Sequence, residues 1–142
     1  MPLVSVTRLR IRHWWYVPAF TWQSLRSARQ AARSPGNLAV RLRRDPHRTY
    51  WTMTAWTDEA AMRAFMVAGA HGAVMKRLLT WSDEAALVHW TQDVQGLPAW
   101  EEAHQRLARE GRRSKVLHPS PAHDAFEIAP PRPGRRGELT IK

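Results

Sequence analysis

The sequence predicts an α+β domain of element order β-α-β-β-α-β. Three features carry that expectation: period-two alternation over residues 3–12, a helical apolar pattern following Pro18, and a second round of strand, strand, helix and strand from Asn37 to about residue 93. This split βαβ order lays two helices on one face of four antiparallel strands, the ferredoxin-like arrangement. At 142 residues the chain has room for one such core and little more.

Along the first strand Leu3, Ser5, Thr7, Leu9 and Ile11 alternate with Val4, Val6, Arg8, Arg10 and Arg12. Pro18 has the fixed φ suited to a first helical turn. Trp22, Leu25, Ala28 and Ala32 then recur at helical spacing, opposite Arg26, Gln30 and Arg33. Gly36 suits a helix end, and Leu38, Val40 and Leu42 alternate with Ala39, Arg41 and Arg43 in a second strand. Asp45 and Pro46 mark a turn into Tyr50–Trp56, whose aromatic and threonine content favours a strand, so the second and third strands form a hairpin. Thr57 is the expected cap of the next helix, with Asp58 and Glu59 complementing its positive end and Met62, Phe65, Met66 and Gly69 as its apolar stripe. Gly69 and Gly72 bracket Ala70 and His71 and predict a pause or kink before Val74, Leu78 and Trp81 resume the pattern. A fourth strand is centred on Ala86, Val88 and Trp90.

The expected organisation is a ferredoxin-like domain over residues 1–93, a C-terminal helix packed on it within 94–117, and a flexible tail rich in proline and arginine over 118–142. Pro98 opens that helix, with Trp100, Ala103, His104 and Leu107 on one side and a stop near Gly111. There is no internal repeat.

Composition narrows the chemistry. No cysteine is present, which removes disulfides, zinc–thiolate sites, iron–sulfur clusters and thiol nucleophiles. No apolar run reaches the roughly 20 residues of a membrane span, and no leader pattern opens the sequence, so a cytoplasmic protein is expected. A formal charge of +10 suits nucleic acid, an anionic membrane surface or an acidic small molecule without choosing among them. Nucleic acid is the least favoured of these, because no helix-turn-helix, zinc or RNA-recognition pattern accompanies the charge. Arg8, Arg10, Arg12, Arg41 and Arg43 share alternate faces of two strands. That face either meets solvent or encloses an anionic ligand.

The run Trp51 to Met75, WTMTAWTDEAAMRAFMVAGAHGAVM, resembles the third-strand to second-helix segment of the antibiotic-biosynthesis-monooxygenase superfamily of dimeric α/β barrels. It is most similar to spheroidene monooxygenase-like and uncharacterised small bacterial proteins. The matching features are Trp56 ending a strand, Asp58 and Glu59 opening the helix, and His71 following it. The resemblance implies a homodimer whose sheets pack face to face, each subunit holding a hydrophobic or aromatic small molecule between sheet and helices. It also implies monooxygenase (oxidoreductase) chemistry, with His71 and Trp56 as the catalytic pair.

In the heme-degrading branch the matching histidine ligates iron, so the resemblance makes His71 the heme iron ligand, with Phe65, Met66 and Arg41 as further cofactor contacts. A neutral imidazole is a sound axial ligand, Trp51, Trp56, Phe65 and Met66 would shield a porphyrin, and strand arginines would pair with its propionates. Phe65 stands where that branch has tryptophan, and His71 comes earlier than its histidine, which argues against heme breakdown as such. Two alternatives stay open: a cofactor-free aromatic oxygenase in which Trp, Tyr and His71 orient the substrate, and a small-molecule-binding or dimerising protein without catalysis.

Other patterns carry less. His13, His47, His89, His104, His118 and His123 lack the paired spacing of a metal cage, and Ser120 between His118 and Asp124 lacks the strand-turn-helix of a nucleophile elbow. Helix or strand starts account for Asp58 with Glu59, Asp83 with Glu84 and Glu101 with Glu102. Of eight tryptophans, Trp22, Trp81 and Trp100 read as structural. Trp51 and Trp56 point to opposite sides of one strand, and Trp14 and Trp15 rim a pocket or a contact. The basic turn Gly111–Lys115 reads as solvated.

Overall fold

The computed structural model describes residues 2–93 and 96–142, with the side chains of residues 70–74 outside the described set. Alternation builds β1 (Leu3–Ile11), β2 (Asn37–Asp45), β3 (Thr49–Trp56) and β4 (Ser82–Thr91). They pair antiparallel in the order β4-β1-β3-β2, with short strands β5 (Arg112–Arg113) beyond β4 and β6 (Glu138–Thr140) beyond β2. Helices α1 (Val17–Arg33), α2 (Glu59–Met66) and α3 (Gly69–Trp81) cover one face; α4 (Trp100–Glu110) and the one-turn α5 (Pro121–Asp124) follow. The β-α-β-β-α-β plan predicted from sequence is therefore the observed one, with its second helical segment in two pieces.

That break falls before Gly69. Val67 and Ala68 leave the helix, the Ala68 N–H still reaching Phe65 O at 3.1 Å, and Gly69 turns the chain at φ +48°. The Gln30 side chain donates to Ala68 O at 2.8 Å and ties the break to α1. His71 thus sits in the first turn of α3, not at a kink after α2; its side chain, like those of Ala70 and Val74, lies outside the described residues. The cap of α2 is Asp58, whose carboxylate accepts from Ala61 N at 2.8 Å, while Thr57 N donates to Gly36 O.

Pleating sends Ser5, Thr7 and Leu9 of β1, Val40 and Leu42 of β2, and Thr52, Thr54 and Trp56 of β3 toward the helices. Trp56, Met62 and Phe65 pack there with Ala28 and Ala31. On the opposite face Val4, Val6, Trp51, Met53, Val88 and Trp90 form a second core with Trp100, Ala103 and Leu107 of α4, joined by Phe126 and Ile128. This second core bears on two expectations. Arg8 and Arg43, expected to meet solvent or to enclose an anionic ligand, are buried among the chain's own groups, 3% and 1% exposed. Arg8 donates to Glu84 at 2.8 Å, and Arg43 to Asp45 at 3.0 Å, to Gly134 O at 2.6 Å and to Arg132 O. The face on which two such sheets would meet is also occupied by the chain's own α4 and residues 126–128.

Residues 118–142, read from composition as a flexible tail, pack on the fold: Phe126 and Ile128 lie on that face, β6 extends the sheet and Ile141 joins the helix-side core. β6 pairs with β2 through Arg41–Thr140, Leu42–Leu139 and Arg43–Glu138, and Arg132 reaches Asp45 at 3.3 Å. Asp83 and Glu84 are not helix or strand caps but buried members of β4, paired with Arg10 and Arg8. Trp22 also departs from its predicted stripe. It is 60% exposed, because the buried line of α1 runs through Phe20, Ser27, Ala28 and Ala31.

Candidate functional site: a cavity between sheet and helices

Where the three helices cross the sheet they leave a cavity of 290 Å³. Its floor is a row of small hydroxyl residues, Ser5 and Thr7 of β1 beside Thr52 and Thr54 of β3, because every second position of these strands faces the helices. Its walls are Phe20, Ser24 and Ala28 of α1, Met62, Phe65 and Met66 of α2, and Met75 and Leu78 of α3, with Ser114 and Lys115 at one edge. A void of about 150 Å³ holds benzene, so this one has the size for a ligand of about two fused rings. An apolar wall over a sparse polar floor is the usual make-up of a small-molecule site.

The structure brings together three of the residues predicted from sequence. Trp56, Phe65 and Met66 line the cavity, Trp56 stacked on Phe65 with centroids 5.3 Å apart. The Trp56 indole N–H is already engaged, donating to Thr54 Oγ1 at 2.9 Å, so Trp56 offers a surface and Thr54 carries the polar contact. Trp51 and Arg41 lie elsewhere. Strand alternation puts both on the opposite face, where Trp51 packs edge-on against Trp100 and Arg41 approaches Glu138 at 3.7 Å. His71 belongs to the same helix as Met75 and Leu78.

These placements decide the fit of a heme. The arginines expected for its propionates are on the far side of the sheet or bound to carboxylates, and Lys115 is the one cation among the described lining residues. A macrocycle of four pyrroles also exceeds a two-ring space. The described residues do not fit a porphyrin.

Hydroxyl residues at the helix-facing positions of β1 and β3 were the signal that sequence reasoning left unused. They read as ordinary alternation, although a half-buried strand usually turns apolar residues inward. Nearby, burial raises the Tyr50 phenol above its usual range, against the opposing charges of Arg44 and Arg48, and Tyr50 packs on Phe20 at 4.7 Å.

A second hollow, of 490 Å³, lies on the other face between Arg8, Arg10, Glu84 and residues 127–132. Arg8, Arg10 and Glu84 there are matched to one another and to Asp83. Hydrogen bonding to Asp83 chiefly holds the Arg10 guanidinium above its usual value, against desolvation. For Glu84, burial pushes the carboxyl up, but hydrogen bonds from Arg8 and Ser120 and the charges of Arg8 and Arg10 together bring it below the usual range. No group of three or more metal-ligating side chains occurs among the described residues, and no helix there is long and apolar enough to cross a membrane.

A four-stranded antiparallel sheet with a ligand-sized cavity under its helices gives this chain the fold of the antibiotic-biosynthesis-monooxygenase-like α+β proteins. Solved structures share the fold. SnoaB, a cofactor-independent oxygenase from Streptomyces nogalater, is 25% identical with a TM-score of 0.55, over 69% of this chain and 98% of its own. An antibiotic biosynthesis monooxygenase is 13% identical with a TM-score of 0.58, over 63% and 97%. PA3566 from Pseudomonas aeruginosa is 13% identical with a TM-score of 0.58, over 66% and 95%. The chain belongs to the family of the domain of unknown function DUF3291, whose model matches residues 16–118. No curated protein matches it.

Proposed function

We propose that the chain binds an electron-rich aromatic molecule of about two rings in the helix-side cavity and oxygenates it with molecular oxygen, without a cofactor. The observation that carries this reading is the cavity itself, an apolar vault over the hydroxyls of Ser5, Thr7, Thr52 and Thr54. The likeness to a cofactor-independent oxygenase supports the same route. In that chemistry the substrate loses a proton and gives an electron to oxygen. One oxygen atom is then retained as a carbonyl, and the other leaves as water with the phenolic proton and the hydrogen of the oxidised ring carbon. The protein's share is to exclude water, to stack the ring on Phe65 and Trp56, and to hold phenolic oxygens on the floor hydroxyls. His71, one turn before Met75 on α3, is the residue we assign to proton removal, with Trp56 in a positioning role.

Binding without catalysis is the second reading, favoured by one observation: among the described lining residues there is neither a carboxylate nor an imidazole. The heme-dependent route is the weaker alternative for the reasons of fit above. A homodimer would need a surface other than the sheet face covered by α4, and the ligand-binding unit is residues 1–93 together with Ser114 and Lys115 at the cavity edge.

Oxygen uptake with a panel of polyphenols in metal-free buffer tests the function. We expect uptake that persists with chelator present and falls at least tenfold in His71→Ala. Binding of the panel without uptake would leave the non-catalytic reading, and a Soret band on hemin titration that is lost in His71→Ala would restore the heme route.

A further inference from the structure

The outer surface of the helical layer has a composition that the cavity does not explain. Residues 13–33, the turn and α1, hold Arg26, Arg29 and Arg33 and no aspartate or glutamate, and residues 69–81, α3, hold Lys76 and Arg77 and again no acid. Both segments supply the packed helices α1 and α3. On α1 the exposed residues Trp22, Arg26, Arg29 and Arg33 follow one another at four, three and four positions, hence on a single face. Among the described residues none of these three arginines has an ion-pair partner.

Large apolar side chains crown the same layer. Trp14 and Trp15, in the 3-10 turn before α1, are 71% and 54% exposed, and Trp22 is 60% exposed. The turn joins α3 through a chain of rings: Trp14 meets Trp15 edge-on at 6.0 Å, Trp15 contacts Tyr16 at 5.9 Å, and Tyr16 stacks on Trp81 at 6.3 Å. Arg12 and Arg77 lie over the Tyr16 and Trp81 rings at 5.7 and 6.0 Å. Tryptophan bodies beside unpaired arginines match the polarity profile of a lipid interface, where the ring enters the acyl boundary and the guanidinium meets phosphate.

We propose that the turn 13–16, α1 and α3 dock the protein on an anionic lipid surface. Charge selects the partner, since a surface of this size with no acidic side chain is repelled by nothing in an anionic headgroup layer and attracted by all of it. The cavity connects to the same layer. Met75 is 41% exposed and also lines the cavity, so one side chain touches both the proposed docking layer and the ligand space. Docking rests on the surface alone and does not depend on the proposed oxygenation.

The test is flotation of the full chain with vesicles of phosphatidylcholine alone and of equimolar phosphatidylcholine and phosphatidylglycerol. The expected result is binding to the anionic vesicles only, weakened by salt. Neutralising Arg26, Arg29 and Arg33 with glutamine should lower the partition coefficient about a hundredfold, at an unchanged melting temperature. Trp14→Ser with Trp15→Ser should reduce quenching of tryptophan fluorescence by brominated acyl chains, leaving the share from Trp22. Equal binding to neutral vesicles, no binding to either, or full binding by both variants would overturn the proposal. So would displacement of the vesicles by a single-stranded oligonucleotide bound more tightly, which would assign the surface to nucleic acid. Quenching in the unmodified chain decides the matter should a variant fail to fold, and oxygen uptake is read separately, so failure of one claim leaves the other measurable.

Discussion

Thr7 stands at the centre of the cavity floor, opposite Thr52 on β3 and Leu87 on β4. Thr7→Phe would put a ring into the 290 Å³ space from a strand position that favours aromatic residues. Burying a phenylalanine side chain is worth about 1.5–3 kcal/mol relative to leaving it in water. The cost of fixing the ring and losing a hydroxyl reduces this, so a net gain of about 1–2 kcal/mol is expected, in the range of other cavity-filling changes. For a chain of this length that is a rise of roughly 3–8 °C in melting temperature. The same ring occupies the ligand space, so polyphenol affinity should fall at least tenfold. Urea denaturation followed by far-ultraviolet circular dichroism reads the first effect, and fluorescence titration reads the second. A variant that is destabilised and binds ligand as before would show that the space is too tight for a ring and is not where ligands go, refuting the reasoning.

Three further outcomes follow from the packing. Glu84→Gln leaves the buried Arg8 charge without its carboxylate and should cost about 3 kcal/mol in urea denaturation. Because the Glu84 carboxyl is held below its usual range in the folded chain, its contribution is complete above the ordinary glutamate pKa and lost as pH falls through the lower folded value; the variant should show a shallower loss of stability across that acidic window. Asp58→Ala removes the cap of α2 and should lower stability by about 1 kcal/mol. Trp100→Ala should cost about 3–5 kcal/mol and, by uncovering Trp51 and Val88, produce self-association visible in light scattering; a variant that stays as stable as the parent would mean that α4 does not cover the sheet.

Period-two and period-3.6 patterns made the four main strands and the first helices legible, since each depends on near neighbours in sequence. What escaped was decided by distant pairings. Arg8 and Glu84 are 76 positions apart, and Arg43 is completed by carbonyls of Arg132 and Gly134, so five arginines on one face looked like solvated charge or an anion site when they are largely satisfied inside the fold. The tail was obscured in the same way. Its prolines and arginines outweighed Phe126 and Ile128, which find the sheet only once β4 and α4 are in place. On α1, Trp22 was assigned to the buried stripe by its spacing to Leu25, yet it lies about 200° around the helix from Phe20, the residue that marks the buried line. Of the candidate site, Trp56, Phe65 and Met66 were recognised together because they sit close in sequence around one strand-helix junction. The hydroxyl floor, assembled from two strands some 45 positions apart in the chain, was not.

The two buried tryptophans of β3 give the central claim an internal control, since Trp56 lines the cavity and Trp51 lies behind the sheet against Trp100. Titrating the ¹⁵N-labelled protein with a two-ring polyphenol and following the indole N–H resonances compares the two faces in one spectrum. The account predicts that the Trp56 signal shifts saturably while the Trp51 signal stays in place. A shift of Trp51 with Trp56 unmoved would put the ligand on the opposite face and contradict it.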